Sequence, residues 1–144
     1  MIYLTADHGG YELKQKIAEY LKSEKHEFID LGTQESDAND DYPDYASKMA
    51  QRLKGGDLGI ALCASGQGIC IALNKFNDLR AAQAWSVESA QRARNDDNAN
   101  VLCLAGIVDN MDNEQEIVKA FINTKFSGEE RFTRRIEKIR EIEN

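Results

Sequence analysis

Five short apolar runs punctuate this chain, and apolar residues between them return at the helical period. Ile2–Ala6, Phe28–Leu31, Leu58–Cys63, Arg80–Trp85 and Val101–Ala105 read as strands. Leu13, Ile17 and Leu21 recur every four residues, and further helices are expected over Tyr45–Leu53, Ile69–Lys75 and Val87–Arg94. Ile117, Val118, Phe121 and Ile122 mark another. Ile136, Ile139 and Ile142 mark the last, with Ser127-x-x-Glu130 ahead of it as a capping box. Strands that alternate with helices pair in parallel, because parallel neighbours need crossovers and the crossovers cover both faces of the sheet.

A chain of 144 residues with 42% hydrophobic content can bury a core without disulfides or metal, so one domain over residues 1–144 is expected. The formal charge of -7 repels a phosphate backbone, which argues against nucleic acid as partner. Met1 leads directly into the first strand with no basic segment, and no apolar run approaches the roughly 20 residues of a membrane span. Cys63, Cys70 and Cys103 are odd in number and form no CxxC pair, which suits a reducing compartment, and a cytoplasmic location is expected.

Ligands of parallel α/β sheets bind beyond the carboxyl ends of the strands. Three segments are assigned to those ends: Asp7-His8-Gly9-Gly10, Cys63 to Gly68, and Arg94 to Asn100. Cys63 ends a strand just before a helix starting near Gln67 or Gly68, a position that favours a thiolate and hence a base, although a cysteine there also serves as a small buried hydrophobe. Gly66 and Gly68 let backbone amides approach an oxyanion. Asp7 supplies an acceptor or caps the following helix, and His8 is a titratable group on the same edge, whereas His26 reads as solvated. Arg131 and Arg135, four apart, share a helix face and either grip a phosphate or pair with carboxylates. Asp96 and Asp97 are acid–base candidates or simply end a helix. Tyr42 presents a hydroxyl from a loop that Pro43, the only proline, anchors at a helix start.

"ADHGG", "DYPDYA", "CASGQGICIALNK", "RAAQAW", "NDDNANVLCL" and "GEERFTRRIEKI", in this order from about Ile2 to Ile139, resemble the sugar-phosphate isomerases that include type B ribose-5-phosphate isomerases and galactose-6-phosphate isomerase subunits. The resemblance implies a three-layer α/β/α, Rossmann-like fold with a five-stranded parallel sheet, and an active site at the interface of a homodimer that sometimes pairs into tetramers. It implies a phosphorylated sugar as substrate, no metal and no organic cofactor. It makes Cys63 the base that moves a proton between the carbons beside the carbonyl. Ser65 and the amides of residues 64–68, Gly66 and Gly68 among them, hold the enediolate. Asp7 and His8 touch the sugar and its phosphate, Tyr42 lines the pocket, Asn98 contacts substrate, and Arg131 and Arg135 bind phosphate. Asp96 stands where the family usually has a ring-opening histidine, and Ala64, Ile107 and Phe132 also depart from its pattern. Ribose 5-phosphate is the leading substrate, with allose or galactose 6-phosphate, or a non-catalytic phosphate-binding role, as the alternatives.

Overall fold

The computed structural model describes residues 1–107 and 113–143. In chain order the elements are β1 (Ile2–Ala6), α1 (Tyr11–Ser23), β2 (Phe28–Asp30), α2 (Tyr42–Arg52), β3 (Leu58–Cys63), α3 (Gln67–Leu73), β4 (Ala81–Gln83), α4 (Val87–Asn95), β5 (Val101–Ala105), α5 (Glu114–Asn123) and α6 (Glu130–Ile142). A 3₁₀ turn at His8–Gly10 joins β1 to α1. The strands form one sheet of order β2-β1-β3-β5-β4, and every pairing is parallel, as the alternation of strand and helix requires.

Strand periodicity sorts the core into two layers. Leu4, Ala6, Ile60, Leu62, Leu102 and Leu104 pack with α1, α4 and α5 through Leu13, Ile17, Ala90 and Phe121. Ala61, Cys63, Val101 and Cys103 point the other way, against Tyr45 and Met49 of α2 and Ile69 and Leu73 of α3. Successive side chains of β3 and β5 therefore feed opposite layers, and both central strands are continuous apolar runs because neither face meets water. The expected three-layer α/β fold is the one observed.

Three boundaries differ from the sequence expectation, each for a local reason. α2 begins at Tyr42 rather than Tyr45, with Pro43 in its first turn, where the missing N–H costs nothing and the fixed φ suits a helix. β4 stops at Gln83 instead of Trp85, because the Trp85 and Ser86 amides donate to Ser89 Oγ at 3.2 and 3.1 Å and begin the cap of α4. The Ser127-x-x-Glu130 capping box does not form. Gly128 at φ 70° turns the chain left-handed, and α6 starts at Glu130 with Glu129 as N-cap and no side-chain cap.

α6 joins neither core layer. Phe132 and Ile136 on it are buried, while Ile139 and Ile142 remain 40% and 83% exposed.

Lys14 interrupts the apolar face of α1 and is 1% exposed. Its Nζ donates to Asp30 Oδ2 at 2.5 Å and to the Thr33 carbonyl at 2.8 Å, tying α1 to the end of β2. A buried ammonium is tolerable only with such partners. Lys14→Ala removes the cation and leaves Asp30 and the Thr33 carbonyl without it, so a loss of about 3 kcal/mol of unfolding free energy in urea is expected.

Candidate active site

The winding direction reverses between β1 and β3: β2 lies beyond β1 on one side, and β5 and β4 lie beyond β3 on the other. A reversal of this kind opens a crevice at the carboxyl ends of the two strands. The register pairs Ala6 with Leu62 and Cys63 with Ala105, so β1, β3 and β5 end almost level. Their following loops touch backbone to backbone. A Cβ on Gly9 would lie 2.7 Å from the Ala64 nitrogen, and one on Gly106 would lie 2.1 Å from the Gly9 carbonyl oxygen. The Gly106 amide donates to the Cys63 carbonyl at 2.8 Å, and the Ile107 amide to the Ala64 carbonyl at 3.1 Å. Residues 7–10 and 63–68 are thereby brought together, as expected.

On the β1 side, Asp7 caps the 3₁₀ turn: its Oδ1 accepts from the Gly9 and Gly10 amides at 2.9 and 3.2 Å. The capping reading of Asp7 therefore holds, and its Oδ2 makes no hydrogen bond among the described residues. Burial pushes the Asp7 carboxyl above its ordinary range, and the Gly10 amide and His8 oppose the rise. The His8 side chain is 38% exposed, and its Nδ1 lies 2.6 Å from Asp40 Oδ1. Asp40 comes from the acidic loop between β2 and α2, where nothing local in the sequence sets it apart from its neighbouring carboxylates. The hydrogen bond to Asp40 raises the His8 pKa against the opposing effect of burial. Asp7, His8 and Asp40 offer ligand atoms within 4.8 Å of one another, the one group of the described residues spaced to hold a cation. Asp7 Oδ1 and both Asp40 oxygens are already engaged by donors from the protein, which accounts for the cluster by hydrogen bonding alone.

On the β3 side, Cys63 is 4% exposed. Beyond it, Gly66 takes φ 75°, a left-handed conformation that turns the chain sharply into α3. The Gln67 amide reaches Ser65 Oγ at 3.3 Å, and Gln83 Nε2 donates to the Ser65 carbonyl at 2.5 Å. The Ser65 and Gly66 amides have no partner among the described residues. Gly68 is required by Tyr42: a Cβ there would stand 2.6 Å from Tyr42 Cζ, so the phenol lies flush on the loop. The three thiols are unlike one another. The hydrogen bond with Cys70 and nearly complete burial hold Cys103 well above the usual thiol range, which leaves it protonated and inert. Gln83 and Asp40 support the two sides of the crevice, and only the tertiary structure brings them there.

Asp96, Asn98, Arg131 and Arg135 lie elsewhere, which corrects the assignment of Arg94–Asn100 to the carboxyl ends. α4 runs back along the sheet, so the chain after it enters β5 from the amino edge. There the Gly59 amide donates to the Asn100 carbonyl at 2.8 Å and the Asn100 amide to the Arg80 carbonyl at 3.0 Å. Asp96 ends α4 and accepts from Asn95 Nδ2 at 2.7 Å. Asn98, at φ 46°, accepts from Arg94 Nη1 at 3.0 Å through Oδ1 and from Arg80 through its carbonyl. α6 follows this edge: the Ser127 amide donates to the Asn95 carbonyl, and Glu143 Oε1 accepts from the Asp78 amide. Arg131 and Arg135 share a face as expected, with their guanidinium carbons 4.5 and 5.9 Å from the centre of the Phe132 ring. Arg131 also donates to Glu129 at 2.9 Å. A cavity of about 680 Å³ opens at this edge, lined in part by Lys54, Arg80, Arg94 and Arg140.

A doubly covered parallel sheet with its reactive groups in the crevice between two strand ends defines an α/β enzyme of small, polar substrates. The family described as Ribose/Galactose Isomerase matches residues 2–139. The chain is 44% identical over 144 residues to ribose-5-phosphate isomerase B of Mycobacterium tuberculosis H37Rv, covering 99% of this chain and 89% of that protein. It superposes with TM-score 0.91 and 40% identity on ribose-5-phosphate isomerase B of Clostridium thermocellum, covering 99% of this chain and 96% of the other. The Mycoplasma genitalium ribose-5-phosphate isomerase B, solved with bound ribulose-5-phosphate, matches with TM-score 0.87 and 41% identity over 99% of this chain and 95% of that one. This chain belongs to the ribose/galactose isomerase family, whose members of this kind are aldose–ketose sugar-phosphate isomerases.

The close packing of the strand-end loops is open to a direct check. Gly106→Ala forces a methyl group onto the Gly9 carbonyl and must part the β1 and β5 loops. A loss of about 2 kcal/mol in denaturant unfolding is expected, at the usual scale of overpacking.

Proposed function

We propose that this chain interconverts ribose 5-phosphate and ribulose 5-phosphate, with Cys63 as the base, in a site that two copies of the chain complete. The observation that carries the reading is the position of Cys63: it ends β3 in the crevice opposite Asp7 and His8 and is followed at once by a loop with unpartnered amides. As the thiolate, Cys63 takes the proton from C2 of the open-chain aldose, and the C2–H electrons form the C1=C2 bond while the carbonyl electrons move onto O1. The O2 proton passes to O1, and the thiol returns its proton to C1 as the O2 electrons form the ketone. The Ser65 and Gly66 amides hold the oxyanion, Asp7 Oδ2 and His8 contact the sugar, and Tyr42 closes one wall. The ribulose-5-phosphate bound by the Mycoplasma genitalium relative supports this substrate. The family description, which names galactose beside ribose, keeps a six-carbon sugar phosphate as the second reading.

Arg131, Arg135 and Asp96 belong to the opposite edge of their own chain, so they serve this crevice from a second copy. Support comes from α6, which joins neither core layer and exposes Ile139 and Ile142. In a homodimer with two-fold symmetry the amino edge of each copy meets the carboxyl edge of the other, and each site gains two arginines for phosphate and Asp96 for ring opening. The chain is taken as one cytoplasmic domain with its three thiols reduced, and no described helix is long and apolar enough to cross a membrane.

Incubation with ribose, allose or galactose phosphates in deuterated water, followed by NMR, tests the chemistry: one sugar is converted with deuterium entering beside the carbonyl, and Cys63→Ala abolishes both. Conversion that survives Cys63→Ala removes the cysteine from the mechanism. For the shared site, Cys63→Ala subunits are unfolded and refolded together with Arg131→Ala/Arg135→Ala subunits. Each mixed dimer regains one intact site, so activity rises from near zero to about a quarter of wild type by random pairing. No recovery from refolded mixed dimers means that each chain uses its own arginines.

A further inference from the structure

Asp40 has no counterpart among the groups that perform the proposed reaction, yet it is the most heavily hydrogen-bonded carboxylate at the crevice. Its Oδ1 lies 2.6 Å from His8 Nδ1 and accepts the His8 amide at 3.1 Å, and its Oδ2 accepts the Tyr45 hydroxyl at 3.0 Å. The Asp40 side chain is only 10% exposed. Burial by itself would raise its carboxyl pKa, but the bonds from the His8 ring and amide and from Tyr45 outweigh it, and the net shift is downward. Asp40 is therefore a fixed anion at neutral pH, held by α2 through Tyr45 and by the β1 loop through the His8 backbone.

We propose that Asp40 is a positioning residue that holds His8 with Nδ1 protonated against its carboxylate and with Nε2 turned out as a hydrogen-bond donor to the anionic sugar phosphate. The inference rests on the function proposed above for its choice of ligand. The geometry is specific. A carboxylate 2.6 Å from Nδ1 requires a proton on that nitrogen, because two acceptors cannot share the contact. Nε2, on the far side of the ring, has no partner among the described residues, and the His8 side chain is 38% exposed. The amide bond to the same carboxylate oxygen fixes the His8 backbone as well, so neither the ring nor its stem is free to swing.

Charge points the same way. The groups that face His8 are Asp40 and Asp37 from the β2–α2 loop and Asp7 from its own turn, all carboxylates, with the Tyr45 hydroxyl acting through Asp40. The Asp40 hydrogen bond is foremost in raising the His8 pKa above its ordinary 6.5, burial opposes it, and the charges of Asp7, Asp40 and Asp37 add to the rise. A doubly protonated imidazole then persists further into the neutral range, where the substrate phosphate is dianionic. The same linkage sets a stability window. The Asp40 contribution is complete above its ordinary 3.8 and fades as pH falls through its lowered value. The His8 contribution is complete below 6.5 and fades as pH rises through its raised value.

His26 is the only other histidine, so a proton NMR titration resolves both rings and carries its own control. In Asp40→Asn, which keeps an oxygen acceptor but not the charge, the His8 titration is expected to move to lower pH while His26 stays put. The alkaline limb of kcat/KM should follow His8 downward, with about a tenfold loss at neutral pH borne mainly by KM. Asp40→Glu, which restores the charge, should return most of the titration shift, and it carries the test if Asp40→Asn does not fold. In a His8→Gln background Asp40→Asn should cost little further activity, because its effect passes through His8. An unchanged His8 titration in folded Asp40→Asn, or an undiminished activity loss in the His8→Gln background, overturns the assignment. Failure of the wild type to convert any sugar phosphate would instead sink the functional reading, and the NMR titration would still decide the role of Asp40.

Discussion

The crevice depends on one steric condition: the loops that leave β1, β3 and β5 meet at Gly9 and Gly106, which carry no side chain to part them. Gly9 lies against Ala64, and Gly106 lies against Gly9, each closer than any Cβ allows. Level strand ends alone would leave these loops apart. Their contact sets the Cys63 segment beside the Asp7–His8 turn, and the bonds from Gly106 and Ile107 to the Cys63 and Ala64 carbonyls fix its height. The Cys63, Ala64 and Ser65 carbonyls are used to hold the loop in place, while the amides of residues 65 and 66 have no partner among the described residues.

Around that contact the molecule separates stability from chemistry. The apolar layers contain the alternating residues of β3 and β5, and Cys63 is the residue of its layer that ends β3 at the rim of the sheet. Cys103, deeper on the neighbouring strand, is enclosed and hydrogen-bonded with Cys70, and its thiol stays protonated. Two closed sets of polar groups are built into the fold, while the buried Thr5 hydroxyl has no partner among the described residues. Lys14 with Asp30 and the Thr33 carbonyl forms one, and His8 with Asp40 and Tyr45 forms another. The first staples α1 to the carboxyl end of β2, beside the end of β1 where the Thr33 amide donates to the Ala6 carbonyl, and the second stands in the crevice.

Much of the architecture was legible in advance because strand alternation and helical period are local patterns. β1, β3 and β5 begin and end at the expected residues, and the two layers follow from period two on the central strands. The misplaced boundaries lie where local signals compete. The Ser89 hydroxyl takes two amides from the end of β4, and Gly128 denies Ser127 its cap. The shared edge of Asp7, His8 and Cys63 was legible for a different reason, since residues at the end of a parallel strand lie at the carboxyl edge of the sheet. The segment around Asp96 misled because it also borders a strand, but it precedes β5, and only the direction of travel distinguishes the two edges.

The sequence by itself determined the class of fold, the strand that ends in Cys63 and the family of the chain, since each is written in residues adjacent along the chain. Tertiary structure alone decided that Asp40 grips His8 across 32 positions, that Gln83 braces Ser65, and that Lys14 is buried. It also decided that Asp96, Arg131 and Arg135 face away from Cys63 in their own chain. These are pairings of residues distant in sequence, and no local propensity encodes them. They exist only once parallel crossovers have set which loops share an edge.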